Sequence, residues 1–129
     1  MTTPQRANLE RIARELTVRR TQVRQRIAVA KRALSLVLNK LDDIEDRLQE
    51  TACVHMDDDD LDDEWNAVQR LLDLRDEIIV RRQLLLSALI ALGRHLIMIR
   101  QRERLVAIAA VRLGVVRLRR VKQVAPVSS

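Results

Sequence analysis

Few side chains in this sequence are of the kinds that bind metal ions. The candidates are Cys53, His55, His95 and the acidic run DDDDLDDE. Zinc sites need clustered ligands, and the sequence contains neither an H-E-x-x-H pair nor the Glu-x-x-His of di-iron bundles. As a calcium loop starting at Asp57, the acidic run places Asp62 and Val68 where glycine and glutamate are required. We therefore predict no metal site and expect the aspartates to cap a helix.

Residues for catalysis or cofactor binding are equally sparse. The two glycines, Gly93 and Gly114, are isolated, so neither glycine-rich type of phosphate-binding loop can form. Carboxylate pairs such as Asp42 with Asp46 lie one helical turn apart, but no apolar sequence surrounds them as a general acid requires. We predict a protein that is not an enzyme and that binds no cofactor.

The composition indicates long helices. The chain has 129 residues and no composition break, which favours one domain over residues 1–129. Its apolar residues, 47% of the chain, are almost wholly aliphatic, with Trp65 as the single aromatic side chain. Glycine and proline number only two each, too few for the turns of a β fold. The expected fold class is all-α.

Helix one is predicted over residues 4–50. Thr3 followed by Pro4 is typical of a helix N-terminus. Apolar residues then recur mostly in steps of three and four: Leu9, Ile12, Leu16, Val23, Ile27, Ala30, Leu34, Val37, Leu41, Ile44 and Leu48. Arg19 and Arg20 interrupt this stripe, and an extra step of four restores the register at Ile27.

An acidic loop over residues 51–59 and a second helix over residues 60–122 are predicted next, followed by a frayed tail at 123–129. The apolar steps of the second helix include Leu71, Leu74, Ile78, Leu85, Leu89, Leu92, Leu96, Ile99, Val106, Ala110 and Leu113. The expected architecture is an antiparallel hairpin of two long coiled-coil-like helices. A kink at Gly93, which would give a three-helix arrangement, is the main structural alternative.

Helix two is too apolar to be covered by one partner helix. The segments LLLSALIAL and LVAIAAV are apolar on every face, and such a helix must be buried on every face. We predict that another chain covers an oligomer interface formed by Ile79, Leu86, Leu89, Ile90, Ile97, Ile108 and Val115.

A membrane-spanning helix is not predicted, because charged residues from Arg81 to Arg112 interrupt the apolar windows of helix two. An amphipathic basic helix from Gly93 to Lys122 that lies on anionic lipid is kept as a lesser alternative.

Charge is segregated along the chain. Residues 1–40 carry ten basic and two acidic side chains, 41–77 carry three and fifteen, and 94–122 carry nine and one. A hairpin would bring the acidic stretches together at its loop end and the basic stretches together at its open end. That distribution favours an antiparallel homodimer that forms a four-helix bundle. The alternative partner is another helical protein. The plainer interpretation is that these charges only solubilise helix faces.

The alternative function is sequence-tolerant binding of nucleic acid at the basic open end. The residues proposed to neutralise phosphates are Arg6, Arg11, Arg14, Arg19, Arg20, Arg117, Arg119, Arg120 and Lys122. No aromatic residue lies among them to stack on bases, so such binding would be directed to the backbone and sensitive to salt.

The sequence thus predicts a non-enzymatic assembly or scaffold protein that self-associates or serves as a small helical subunit of a larger complex. Cys53 is unpaired within the chain and the N-terminal residues lack an apolar secretory segment. The expected compartment is the cytoplasm or the nucleus.

Overall fold

The chain forms two long α-helices that pack against each other as a hairpin. The computed structural model describes residues 3–53 and 61–114. Helix α1 comprises Thr3–Cys53 and helix α2 comprises Leu61–Arg112. No strand occurs within these two ranges. The predicted all-α helical hairpin is therefore confirmed.

The helix termini differ from the predicted bounds by a few residues near the connection. Helix α1 ends at Cys53, beyond the predicted 50, and residues 54–60, with most of the predicted acidic loop, lie outside the described residues. Helix α2 carries Asp62, Asp63 and Glu64 in its first turn. Carboxylates there interact favourably with the positive end of the helix dipole, so this acidic sequence suits the start of a helix.

Helix α2 is continuous through Gly93, so the described chain has two helices and not three. It ends at Arg112 and a turn follows: Gly114 has a φ of 83° and donates its N–H to the Val111 carbonyl at 3.0 Å. A left-handed glycine is a common helix terminator because it has no Cβ to clash. The predicted continuation to 122 and the tail lie outside the described residues.

The chain divides into two compact units, each built from a part of both helices. Unit 1 consists of Met1–Arg26 and Leu92–Ser129, and unit 2 is Ile27–Ala91. In unit 2, Leu41, Ile44 and Ile78 form a buried cluster. In unit 1, the buried residues are Leu16, Val23 and Ile99, of which Ile99 is only 2% exposed. Each unit therefore has its own apolar seam between α1 and α2.

The seam of α2 follows a regular spacing that includes charged residues. Its buried and half-buried positions recur in alternating steps of four and three: Glu64, Val68, Leu71, Arg75, Ile78, Arg82, Leu85, Leu89, Leu92, Leu96, Ile99, Glu103, Val106 and Ala110. Leu74 and Leu113, predicted as apolar steps, are exposed instead. Long charged side chains can occupy such positions because their aliphatic stems pack while their heads approach water.

In α1, as in α2, a charged residue occupies a seam position where the apolar stripe of the sequence is interrupted. Arg20 is half-buried and occupies the seam position between Leu16 and Val23, which are both buried. The stripe is therefore continuous in space, although one of its members is charged.

Candidate interaction surface

An ion pair joins the two helices within unit 1. Nη1 of Arg20 donates to Oε2 of Glu103 at 2.9 Å, and the two side chains are 33% and 24% exposed. Nε of Arg20 and Oε1 of Glu103 are buried and make no hydrogen bond to any described residue. The pair fixes which residues of α1 and α2 face each other here, and it lies too deep in the seam to be a surface charge pair.

The energetic role of this pair can be tested by removing one or both partners. We expect Glu103→Ala to lower the free energy of unfolding by about 1–2 kcal/mol, because Arg20 is left half-buried without its acceptor. This value is below that of a fully buried pair because solvent partly screens both groups. The double variant Arg20→Leu with Glu103→Leu should be at least as stable as the wild type, since both charges are replaced by packing apolar groups.

Urea denaturation at one fixed protein concentration measures these changes. Arg6 and Glu10 form the matched control: their atoms lie 3.2 Å apart in an i, i+4 pair, and both side chains are more than half exposed. Glu10→Ala should cost no more than about 0.5 kcal/mol. A double leucine variant less stable than Glu103→Ala would contradict the assigned role.

A groove of about 240 Å³ lies between the helices of unit 1, and its walls combine small apolar residues with carboxylates. It is lined by Leu9, Glu10, Ala13, Thr17, Glu103, Val106, Ala107 and Ala110. The alanines create the space, and the Thr17 hydroxyl donates to the Ala13 carbonyl at 3.0 Å. The volume is below the roughly 300–1,000 Å³ of typical small-molecule sites. It suits the side chain of a partner better than a cofactor.

The groove of unit 2 is similar in size but more charged. It measures about 260 Å³ and is lined by Lys40, Asp43, Ile44, Arg47, Leu74, Ile78 and Arg81. Its apolar floor belongs to the buried cluster of unit 2, since Ile44 and Ile78 line it. It is therefore a shallow continuation of the seam.

The most extensive unusual surface is apolar and belongs mainly to α2. Among the described residues, sixteen large hydrophobic side chains are exposed and only six hydrophobic residues are buried. Eleven of those sixteen lie on α2, and Leu113 follows its last residue. On the side away from the seam, exposed positions recur in steps of four and three, which we call the outer stripe: Val80, Leu84, Ser87, Ala91, Arg94, Met98, Gln101, Leu105 and Ile108.

The residues predicted for an oligomer interface occupy different places. Leu86, Ile90, Ile97 and Ile108 are exposed. Ile79 is half-buried and packs against the Leu41, Ile44 and Ile78 cluster, while Leu89 is half-buried at a seam position. Val115 lies outside the described residues. Ile79 and Leu89 are thus partly occupied by contacts within the hairpin.

Sequence reasoning missed three exposed apolar residues of the outer stripe. Leu84 and Leu105 are 66% and 65% exposed, and Met98 is also exposed. Leu84 and Leu105 lie in segments that are apolar on every face, where periodicity does not distinguish one side of the helix, and Met98 lies between those segments. Extending the four-three spacing of the seam and then selecting the opposite side of the helix would have found them.

By length and composition, α2 is apolar enough to cross a membrane, although only 6% of its most apolar part is buried. The basic residues of α2 therefore leave one window that is long and apolar enough to span a membrane. Between residues 83 and 100, for example, the charged side chains are only Arg94 and Arg100, with His95 beside them. The absence of a spanning helix stays a prediction.

Charge is divided between the two units. Unit 1 contains sixteen basic and three acidic residues, a formal charge of +13, while unit 2 contains eight and fifteen, a formal charge of −7. Two of the three acidic residues of unit 1, Glu10 and Glu103, line its groove. Unit 1 is therefore strongly basic and unit 2 is acidic.

The residues proposed for nucleic-acid binding are only partly described. Arg6 pairs with Glu10, and Nη2 of Arg11 donates to Oδ1 of Asn8 at 2.8 Å. Arg14 and Arg19 are exposed on α1, whereas Arg20 is held in the seam by Glu103. Arg117, Arg119, Arg120 and Lys122 lie outside the described residues. The described part of this basic set is thus reduced by local pairing.

Of the residues considered as metal ligands, His95 is exposed on α2, while the Cys53 side chain, His55 and Asp57 lie outside the described residues. Over the described ranges, no three His, Cys, Asp or Glu side chains are grouped so as to hold a metal ion.

Comparison of the chain with known protein families, with curated proteins and with solved structures finds no match.

Proposed function

We propose that this chain is a non-enzymatic helical assembly module, a coiled-coil hairpin that self-associates to complete a helical bundle. The observation that carries this proposal is the outer stripe of α2, a face of a helix already packed on its other side. Five members of this stripe are exposed large apolar residues: Val80, Leu84, Met98, Leu105 and Ile108. In an alternative form of this function, the partner that completes the bundle is another helical protein and not a second copy of the chain.

The apolar surface supports association because soluble monomers rarely expose contiguous apolar patches of this kind. Isolated exposed hydrophobic residues are ordinary. Here, however, Leu84, Met98 and Leu105 lie fourteen and seven residues apart, which places them on one face of α2, and Ile90 and Ile97 flank that face. Burying a leucine of this exposure contributes about 1.5–3 kcal/mol, so several of them together are sufficient to drive association.

The charges support a second copy as the partner. Unit 1 at +13 and unit 2 at −7 attract each other between molecules when two chains lie antiparallel. A parallel arrangement would instead bring like-charged units together. An antiparallel dimer is therefore the preferred assembly.

Binding of nucleic acid remains a second proposal, supported by the +13 charge of unit 1. It explains none of the exposed apolar surface. The only aromatic residue, Trp65, lies in the acidic unit 2, so unit 1 has no aromatic side chain on which bases could stack. Self-association accounts for both the apolar and the charged features.

Sedimentation velocity at micromolar concentration tests the proposed function directly. We expect the folded protein to sediment as a species of at least twice the 14.9 kDa chain mass. The emission of Trp65, 64% exposed in the single chain, reports unfolding in the same samples. A well-folded species of one chain, unchanged as the concentration rises, would show that the outer stripe does not mediate self-association.

A further inference from the structure

We infer that two copies associate through the outer stripes of α2 in an antiparallel register in which Leu84 of one copy faces Ala91 of the other. This inference rests on the proposed self-association and names its surface and its register. It follows from two independent features of α2: where its small residues lie, and how its charges are distributed.

The middle of the outer stripe can accommodate a second helix closely. Ser87, Ala88 and Ala91 are small and exposed, and Leu84 projects one turn before them on the same side. In antiparallel pairing about the midpoint between Ser87 and Ala88, Leu84 of each copy meets the small residues of the other. This is the knob-into-hole contact that packs helices together, and the two-fold symmetry forms it twice.

The charges of α2 are arranged oppositely about the same midpoint. Residues 61–91 of α2 contain six acidic and four basic side chains, a formal charge of −2, whereas residues 92–112 contain five basic side chains and only Glu103 as an acid, a formal charge of +4. The register that pairs Leu84 with Ala91 places Asp73 opposite Arg102 and Asp63 opposite Arg112, at equal distances in sequence from the midpoint. Each contact occurs twice in the dimer.

Further charged residues of α2 meet both like and opposite charges in this register. Arg81 lies directly opposite Arg94, a like-charge contact, and Glu77 lies one helical turn from Arg81, within reach of the same Arg94. Asp76 lies one residue from the position opposite Arg100. All five residues are exposed in the single chain. A parallel register would instead place Asp73 opposite Asp73 and Arg102 opposite Arg102.

A membrane is the competing occupant of this face, because α2 also has the composition of a spanning helix. Towards the N-terminus, however, the same face continues with exposed Asp63, Asp73 and Glu77. Anionic lipid repels these carboxylates, and ionised carboxylates are costly within the hydrocarbon region. A second copy meets them with arginines.

Charge exchange tests the register. The single variants Asp73→Arg and Arg102→Asp should each raise the dissociation constant of the dimer about tenfold at low salt, because each places like charges opposite one another in two symmetric contacts. The double variant, with both residues exchanged in the same chain, should restore the dissociation constant to within about threefold of the wild type. Both residues are mid-helix and exposed, whereas exchanging Asp63 and Arg112 would also disturb the helix termini.

Disulfide trapping in a Cys53→Ser background gives a second measurement. Mixing a Leu84→Cys chain with an Ala91→Cys chain should yield a cross-linked dimer on oxidation, whereas neither chain should cross-link alone. Residues seven apart on a helix are separated by about 10 Å along its axis, too far for a disulfide.

The outcomes separate the register from the proposed function. The register is overturned, and self-association stands, if the wild-type protein associates but the double charge variant does not regain the wild-type dissociation constant. The same conclusion follows if Leu84→Cys chains cross-link to one another. A wild-type monomer that co-sediments with phosphatidylglycerol vesicles overturns both. Restored association together with the mixed cross-link supports the inference.

Discussion

Leu84→Glu is expected to convert the associated protein into a folded monomer. Leu84 is 66% exposed in the single chain, so a glutamate there is solvated and the hairpin itself loses little. In the proposed dimer the variant removes two buried leucines and places two carboxylates near the centre of the interface. The dissociation constant should rise at least about a hundredfold, since each leucine contributes about 1.5–3 kcal/mol.

Sedimentation velocity measures the mass, and circular dichroism shows that helix content is retained. Leu36→Glu is the matched control, because Leu36 is 63% exposed and lies on α1 in the same compact unit as Leu84. It should associate as tightly as the wild type. Equal loss of association in both variants would mean that the apolar surface acts nonspecifically and that the outer stripe has no special role.

Leu84 and Leu89 lie on different sides of α2, so replacing them has different consequences. From the sequence, Leu89 is the natural residue to replace, because it lies in the middle of the apolar segment LLLSALIAL. In the structure Leu89 is half-buried at a seam position, so a glutamate there would weaken the hairpin as well as any dimer. Only a residue on the opposite side of α2 separates association from folding.

The helices themselves are predictable because periodicity is a local property. Apolar residues in steps of three and four, together with scarce glycine and proline, suffice to identify two long helices. These features need no knowledge of what packs against them. The sequence prediction instead continues helix two through Gly114, which lies in a turn with a left-handed φ after Arg112.

The charged seam positions were not predictable in the same way. Counting only apolar residues places Leu74 in the stripe and omits Arg75, whereas the structure exposes Leu74 and half-buries Arg75. Arg20 likewise reads as an interruption until Glu103 is brought opposite it, 83 residues away in sequence. Which residues of α1 and α2 face each other depends on both helices at once, so it is a tertiary property.

Because the seam contains few buried residues, replacing the most buried one should lower the free energy of unfolding substantially. Ile99 is 2% exposed and lies among only six buried hydrophobic residues in the described chain. We expect Ile99→Ala to lower the free energy of unfolding by about 2–5 kcal/mol, because it removes buried methyl groups and leaves a cavity. That is a large fraction of the roughly 5–15 kcal/mol that stabilises ordinary domains. Urea denaturation followed by Trp65 fluorescence measures it.

Ile97→Ala is the matched control, because Ile97 is the same residue type, two positions away on α2, and 56% exposed. At protein concentrations low enough to dissociate the dimer, this variant should unfold within about 0.5 kcal/mol of the wild type. At higher concentrations it should fall behind the wild type, because Ile97 flanks the outer stripe and its loss weakens association, which is coupled to stability by mass action. Equal destabilisation by both variants at low concentration would mean that the seam is misplaced. If Ile99 lies in the seam and Ile97 lies beside the docking face, Ile99→Ala should destabilise the protein at every concentration. Ile97→Ala should destabilise it only at concentrations where the dimer forms.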